Sequence, residues 1–285
     1  MKSWMPGLLC MVLTGVALAA GPREVRKRVQ LSMLVTGSIE VAPDGSVKQY
    51  TLDHPEALAP TVSALLAKSV PAWRFRPVQV DGRPVAARAK MGIRIVAKPI
   101  GDENYSVGVA STWFGDSDDD KSPVTDHIKY KDRFVPSYPG SAQKARVTGT
   151  VYALLKVGRD GRVEDAVAEQ VNLHIIGSDS ELDGWRKVLA TCTLGALRRD
   201  TFTTPTIGPE AAKNYWVVRI PVTYTLDRGG EKEAYGRWVA YVPGPVQKPA
   251  WTNDHGQAGG ADAAPDGGSL LADSPLHLIG ESSGS

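Results

Sequence analysis

Cysteine is all but missing from this chain. Cys10 and Cys192 are the two in 285 residues. Cys10 lies in an apolar N-terminal stretch expected to be removed, so no internal disulfide is expected and core packing must supply the stability. Charge of one sign is missing too. The 33 basic and 31 acidic residues leave a net charge of +2. That balance gives no electrostatic reason to expect nucleic acid or an anionic membrane as the main partner. Histidine is scarce. His54, His127, His174, His255 and His277 form neither a His-x-x-x-His nor a His-Glu-x-x-His spacing, so no zinc site is expected. There is no Gly-x-Ser-x-Gly elbow and no phosphate-cradling Gly-rich loop. The acidic run at residues 116–120 lacks the Gly and the distal Glu of a calcium loop and reads as solvated linker. No catalytic residue, metal or cofactor is expected, and the chain reads as a non-enzyme.

Long apolar runs are rare as well. One stands at residues 4–20, behind Lys2 and interrupted by Pro6, Gly7, Thr14 and Gly15. It ends on Ala17, Leu18, Ala19 and Ala20, small residues where signal peptidase cuts, so residues 1–20 read as a signal peptide and the protein as periplasmic. Left uncleaved, the stretch would anchor the chain in the inner membrane, the one case in which membrane is a partner. Cys10 sits inside the apolar core of this stretch, which argues against a lipid anchor.

What is present is a repeated order of signals. Strand alternation over 33–41 ends at Pro43, Asp44 and Gly45, where Pro sets φ and Gly supplies positive φ. A strand over 47–52 and a helix over 56–70 follow. Leu58, Val62, Leu65, Leu66 and Val70 form the helix stripe. Trp73, Arg74, Phe75 and Pro77 come next, with the two aromatics read as core plugs, and Met91, Ile93 and Ile95 alternate in a closing strand. The order returns in a strand over 150–157, a turn at Asp160 and Gly161, and a helix over 180–199 with Leu182, Trp185, Leu189, Cys192 and Ala196 on one face. Cys192 there reads as a buried, inert thiol. A last strand over 215–226 turns Trp216, Val218, Ile220, Val222, Tyr224 and Leu226 one way and Val217, Arg219, Pro221 and Thr223 the other. Setting Gly45 on Gly161 aligns Val35 with Val151, Ile39 with Leu155, Val41 with Val157 and Val47 with Val163. This register marks an internal repeat. The expected organisation is one module at 21–98, a linker at 99–137, a second module at 138–228 and a flexible low-complexity tail at 229–285.

The second unit opens on Tyr138, Pro139, Ala142, Gln143, Arg146, Val147, Gly149 and Val151. It continues through Val157, Asp160, Gly161 and Val163, and closes on Val217, Val218, Arg219, Ile220, Pro221, Val222, Tyr224 and Leu226. This series resembles the TonB C-terminal domain family. The matching parts of the first unit are Val41, Pro43, Asp44, Gly45 and Val47, then Trp73, Arg74, Phe75 and Pro77, then Gly82, Pro84 and Val85. The resemblance implies an α+β fold of two tandem modules, each a small antiparallel sheet packed on a helix. It also implies a protein or peptide partner, such as a segment of an outer-membrane transporter, that joins an exposed sheet edge as an extra strand. Tyr138, Pro139, Val217, Arg219, Pro221 and Thr223 are the implied partner-binding residues, and pairing of that edge between two copies would give a homodimer. Pro221 suits an edge, which it either opens to a ligand or blunts against aggregation. The long Pro-rich spacer of the energy transducers is missing, so a binding module in TonB-type transport or envelope function is expected ahead of a short anchored transducer, with an envelope enzyme as the remaining alternative.

Overall fold

The two Asp-Gly steps fold into the same turn. In the computed structural model, which describes residues 25, 27–80, 82–101, 104–115, 128–226, 235–252, 263, 270–271, 276 and 278–279, the Gly45 N–H donates to Ala42 O and the Gly161 N–H to Gly158 O, both at 2.9 Å. Asp44 Oδ1 accepts from the Ser46 N–H at 2.9 Å and Asp160 Oδ1 from the Arg162 N–H at 3.0 Å. These short Asx bonds hold the turns closed. Both glycines have positive φ, 83° and 76°. A Cβ on either would lie 2.0 Å from a backbone oxygen, that of Phe75 or of Phe202. The N–H of that same Phe donates to the glycine carbonyl, at 2.8 Å in both turns. Glycine is required twice over, by conformation and by close approach.

Around the first turn, β1 (Gln30–Val41) pairs antiparallel with β2 (Val47–Leu52), and Val41 meets Val47 across a bulge. Met33, Val35, Ile39 and Val41 are buried, as alternation demands. After a 3-10 turn, α1 (Pro60–Ser69) carries Pro60 in its first turn and buries Val62 and Leu66. It starts later than the expected residue 56 because Pro55–Ala57 forms the 3-10 turn. A short hairpin of β3 (Val78–Val80) and β4 (Arg83–Val85) leads into β5 (Ala87–Gly101), which pairs with β1 from Val41↔Ala87 to Leu31↔Ala97. Trp73 and Phe75 plug this core, each edge-on to Phe114 with ring centroids 5.8 and 5.0 Å away.

Phe114 belongs to β6 (Asn104–Gly115), which pairs with β5. The stretch expected as linker therefore contains a strand. Its alternation is broken by a bulge between the pairs Ile95↔Val109 and Arg94↔Ser111. The extra residue reverses which side chains face the core, so Val109 and Phe114 are both buried although five apart. The same stretch ends in β7 (Lys129–Asp132).

In the second half, α2 (Gly140–Lys144) precedes β8 (Gly149–Gly158) and β9 (Val163–Leu173). These two strands pair with a bulge that sets Val157 against Val163, matching Val41 against Val47. Ser178 caps α3 (Asp179–Leu197) in a capping box with Glu181. β10 (Thr201–Thr203) pairs with β7, and β11 (Tyr215–Tyr224) pairs with β8 over its whole length. The buried residues of α3 are Leu182, Leu189, Thr193 and Leu197. Cys192, expected to be buried, is half-buried instead, with its Sγ 2.9 Å from Ser137 O. The helix is rotated from the expected face because Thr193 goes inside, where its hydroxyl lies 2.8 Å from that of Tyr224.

The C-terminal stretch also departs from the expected tail. Tyr235 and Trp238 pack on the first core. β12 (Val239–Tyr241) pairs with β1 through Gln30↔Tyr241, and the next residue, Val242, bridges to Leu173 of β9. One extended segment thus joins both sheets. From the N-terminal side, Val25 is buried in the second core, and Arg28 forms an ion pair with Asp179 at the start of α3. The expected signal peptide, the acidic run, His127, His255 and His277 lie outside the described residues.

Candidate functional site

The second sheet runs β13–β11–β8–β9, where β13 is the pair Leu270–Leu271. On its outer side β11 is met only at Val218↔Leu271 and Arg219↔Leu270, among the described residues. The ladder with β8 has no register shift from Tyr215↔Gly158 to Tyr224↔Gly149. Proline cannot donate to such a ladder, so Pro221 must sit where the backbone nitrogen faces away from β8. Period two then directs the N–H and C=O of Val217, Arg219 and Thr223 to the same outer edge. Pro221 removes one donor from the middle of that row.

The side chains of these residues lie on the sheet face opposite Trp216, Val218 and Ile220, which are buried in the core. That outer face is itself largely covered. Pro221 is buried, and Val217, Arg219 and Thr223 are half-buried. Arg219 pairs with Glu169 of β9, Nε to Oε2 at 3.1 Å and Nη2 to Oε1 at 3.2 Å. The fork geometry ties this guanidinium to its own sheet, so its charge serves the sheet before any ligand. The Thr223 hydroxyl lies 3.2 Å from that of Thr150.

The cover comes in part from the segment after Val242. Asn172 Oδ1 accepts from the Gly244 N–H at 3.1 Å, and Gln170 donates to Gly244 O at 2.9 Å. Arg186 of α3 donates to Pro243 O at 3.2 Å, and the Gln247 N–H donates to Glu169 O at 2.7 Å. Trp251 Nε1 donates to Asp165 Oδ2 at 2.8 Å, while the Tyr215 hydroxyl donates to Trp251 O at 2.9 Å. This strap occupies the β9 edge and then reaches across the outer face to β11. The outer edge of β11 has only Leu270 and Leu271 against it among the described residues.

Tyr138 and Pro139 lie elsewhere. Pro139 caps α2. The Tyr138 hydroxyl donates to Val147 O at 2.6 Å, and its ring packs 5.3 Å from that of Tyr224 on the core side. The structure brings Val217, Arg219, Pro221 and Thr223 together on one strand and leaves Tyr138 and Pro139 as supports of the second core. Sequence reasoning missed the tail segments that meet the sheets. The signal was there: Leu270, Leu271, Leu276, Leu278 and Ile279 are the only large apolar residues after Trp251.

Candidates for other chemistry are few. Asp200 is 1% exposed. Its Oδ1 accepts from the Phe134 N–H at 2.7 Å, and its Oδ2 has no partner. Burial pushes its carboxyl above the usual range, against the pull of the Phe134 N–H and Arg133. Burial likewise raises the nearby Tyr130 phenol, with the Asp200 charge adding to the effect. Among the described residues no three His, Cys, Asp or Glu side chains gather at one point, and no helix is long and apolar enough to cross a membrane. No protein-family model matches the chain, and no curated protein or solved structure matches it either.

Proposed function

We propose that this chain is a non-enzymatic, exported binding protein of the cell envelope. It is built from two tandem modules resembling the TonB C-terminal domain, and it takes an extended peptide segment on the outer edge of β11. The observation that carries this reading is the state of that edge. It is a ten-residue strand whose outer side has only Leu270 and Leu271 against it among the described residues. Those two residues already do what a peptide ligand would do, pairing antiparallel with Val218 and Arg219. Main-chain pairing supplies affinity in this mode of recognition. With Arg219 tied to Glu169 and Pro221 buried, selectivity comes from the shape of the edge and the missing donor at Pro221 more than from charge.

The test is a footprint on the full chain. Extended heptapeptides selected from a display library are added, and backbone hydrogen exchange is followed residue by residue. Binding at the edge slows the amide of Val217, which faces outward. It leaves Val218, Ile220 and Val222 unchanged, since these already bond to β8. Protection confined to other strands would remove the edge from consideration.

A further inference from the structure

The two turns differ in what lies on the far side of their Phe residue. In the second half Arg162 bridges to Thr201, and Phe202 hydrogen-bonds to Gly161 on one side and pairs with Tyr130 of β7 on the other. Tyr130 stacks on Phe202 with centroids 4.8 Å apart. In the first half Ser46 bridges to Arg74, and Phe75 hydrogen-bonds to Gly45 on one side. The position of Tyr130 is taken there by Leu278, paired antiparallel with Phe75. The Ile279 N–H donates to Arg74 O at 2.6 Å. Leu276, 1% exposed, inserts into the first core, and Leu278 packs against it.

The same slot is thus filled in two ways. In the second half it holds a strand from just upstream of its own unit. The corresponding stretch upstream of β1 goes elsewhere, with Val25 in the second core. The first slot is left to a segment some two hundred residues away along the chain. We propose that the slot beside Arg74 and Phe75 is a second docking site for peptides with leucines two residues apart, and that Leu276, Leu278 and Ile279 occupy it in cis as a built-in competitor. The ligand chemistry is read from the occupant. One leucine fills the core pocket of Leu276, the next covers Phe75, and a following N–H reaches Arg74 O. The spacing of two is that of Leu276 and Leu278 themselves.

Tethering sets how strong the competition is. A segment joined to its site within one chain acts at an effective concentration on the order of millimolar. A free peptide of equal intrinsic affinity therefore binds the intact chain weakly until the tail is displaced. This proposal stands apart from the β11 reading, because the two sites lie in different halves of the chain and leave different footprints.

The probe is a labelled peptide of the sequence of residues 274–280, with photo-leucine at the position of Leu278. It is titrated against the full chain and against the full chain carrying Leu276→Ser and Leu278→Ser. The expected result is at least tenfold tighter binding to the variant, with cross-links on the stretch holding Arg74 and Phe75. Equal binding to both chains, or cross-links confined to residues 215–224, would overturn the proposal. If the variant fails to fold, hydrogen exchange of the wild-type chain decides. An Ile279 amide exchanging at least a hundredfold faster than those of Ile93 and Ile95 supports a detachable tail. Equal rates make Leu276, Leu278 and Ile279 a fixed part of the core and sink the idea.

Discussion

Asp200 has no partner for one of its carboxylate oxygens. Burial raises its pKa above 3.8, so the folded chain binds that proton more tightly than the unfolded chain does. The resulting stability is fully present below the unfolded carboxyl pKa and is lost as pH rises through the raised folded value. Asp200→Asn keeps an oxygen for the Phe134 N–H and removes the charge. Its melting temperature is expected to fall less than that of the parent as pH rises from about 4, the ordinary carboxyl value. Two parallel melting curves over that rise would mean that Asp200 ionises as an exposed carboxyl does. At the turns, Gly161→Ala and Gly45→Ala each place a Cβ against backbone at positive φ. Each is expected to cost about 1–3 kcal/mol in urea unfolding from the backbone strain alone. A cost under half a kilocalorie at either would show that the turn can open without penalty. These glycines were legible in sequence because turn chemistry is local. Thr193 was not, since a threonine on a helix reads as polar until Tyr224 is seen to meet it.

At the level of elements, periodic segments were readable and the others were not. The sequence register that sets Val41 on Val157 also aligns their bulges, each with its partner at the start of the next strand, Val47 and Val163. β6 escaped because a bulge reverses its alternation. The strand itself was legible in the alternation of β11, but Leu270 and Leu271 lie outside it and its outer face is less free than expected. What covers it is a strap of irregular backbone, held mainly by hydrogen bonds between its main chain and the sheet. Such contacts leave no period in a sequence. Gly244 is the strap's tightest point, where a Cβ would lie 2.3 Å from Val171 O. Gly244→Val is expected to lift the strap and speed exchange of the Gln247 amide, which bonds to Glu169 O. An unchanged Gln247 rate would show that the strap is held from Trp251 instead.

Across the whole molecule, the two halves are not beads on a string. β12 continues one sheet, the residue after it bridges to the other, and Val25 crosses in the opposite direction. The sequence pointed to two repeating units and was silent on how they join, because the joining segments carry few residues and no repeat. Co-operative unfolding of both halves follows from these ties.

The pairing of Gln30 with Tyr241 has a consequence for how the chain is made. Contacts so far apart along the chain close late and slow the search for the native state. During vectorial synthesis β1 can find β2 and β5 early, but the start of its outer side waits for a partner some two hundred residues further along. Until then Gln30, Leu31 and Ser32 form a bare strand end, the kind of template on which neighbouring nascent chains join. The interval most exposed to misassembly is therefore the one before Tyr241 arrives, and a chaperone holding this strand end would act during it.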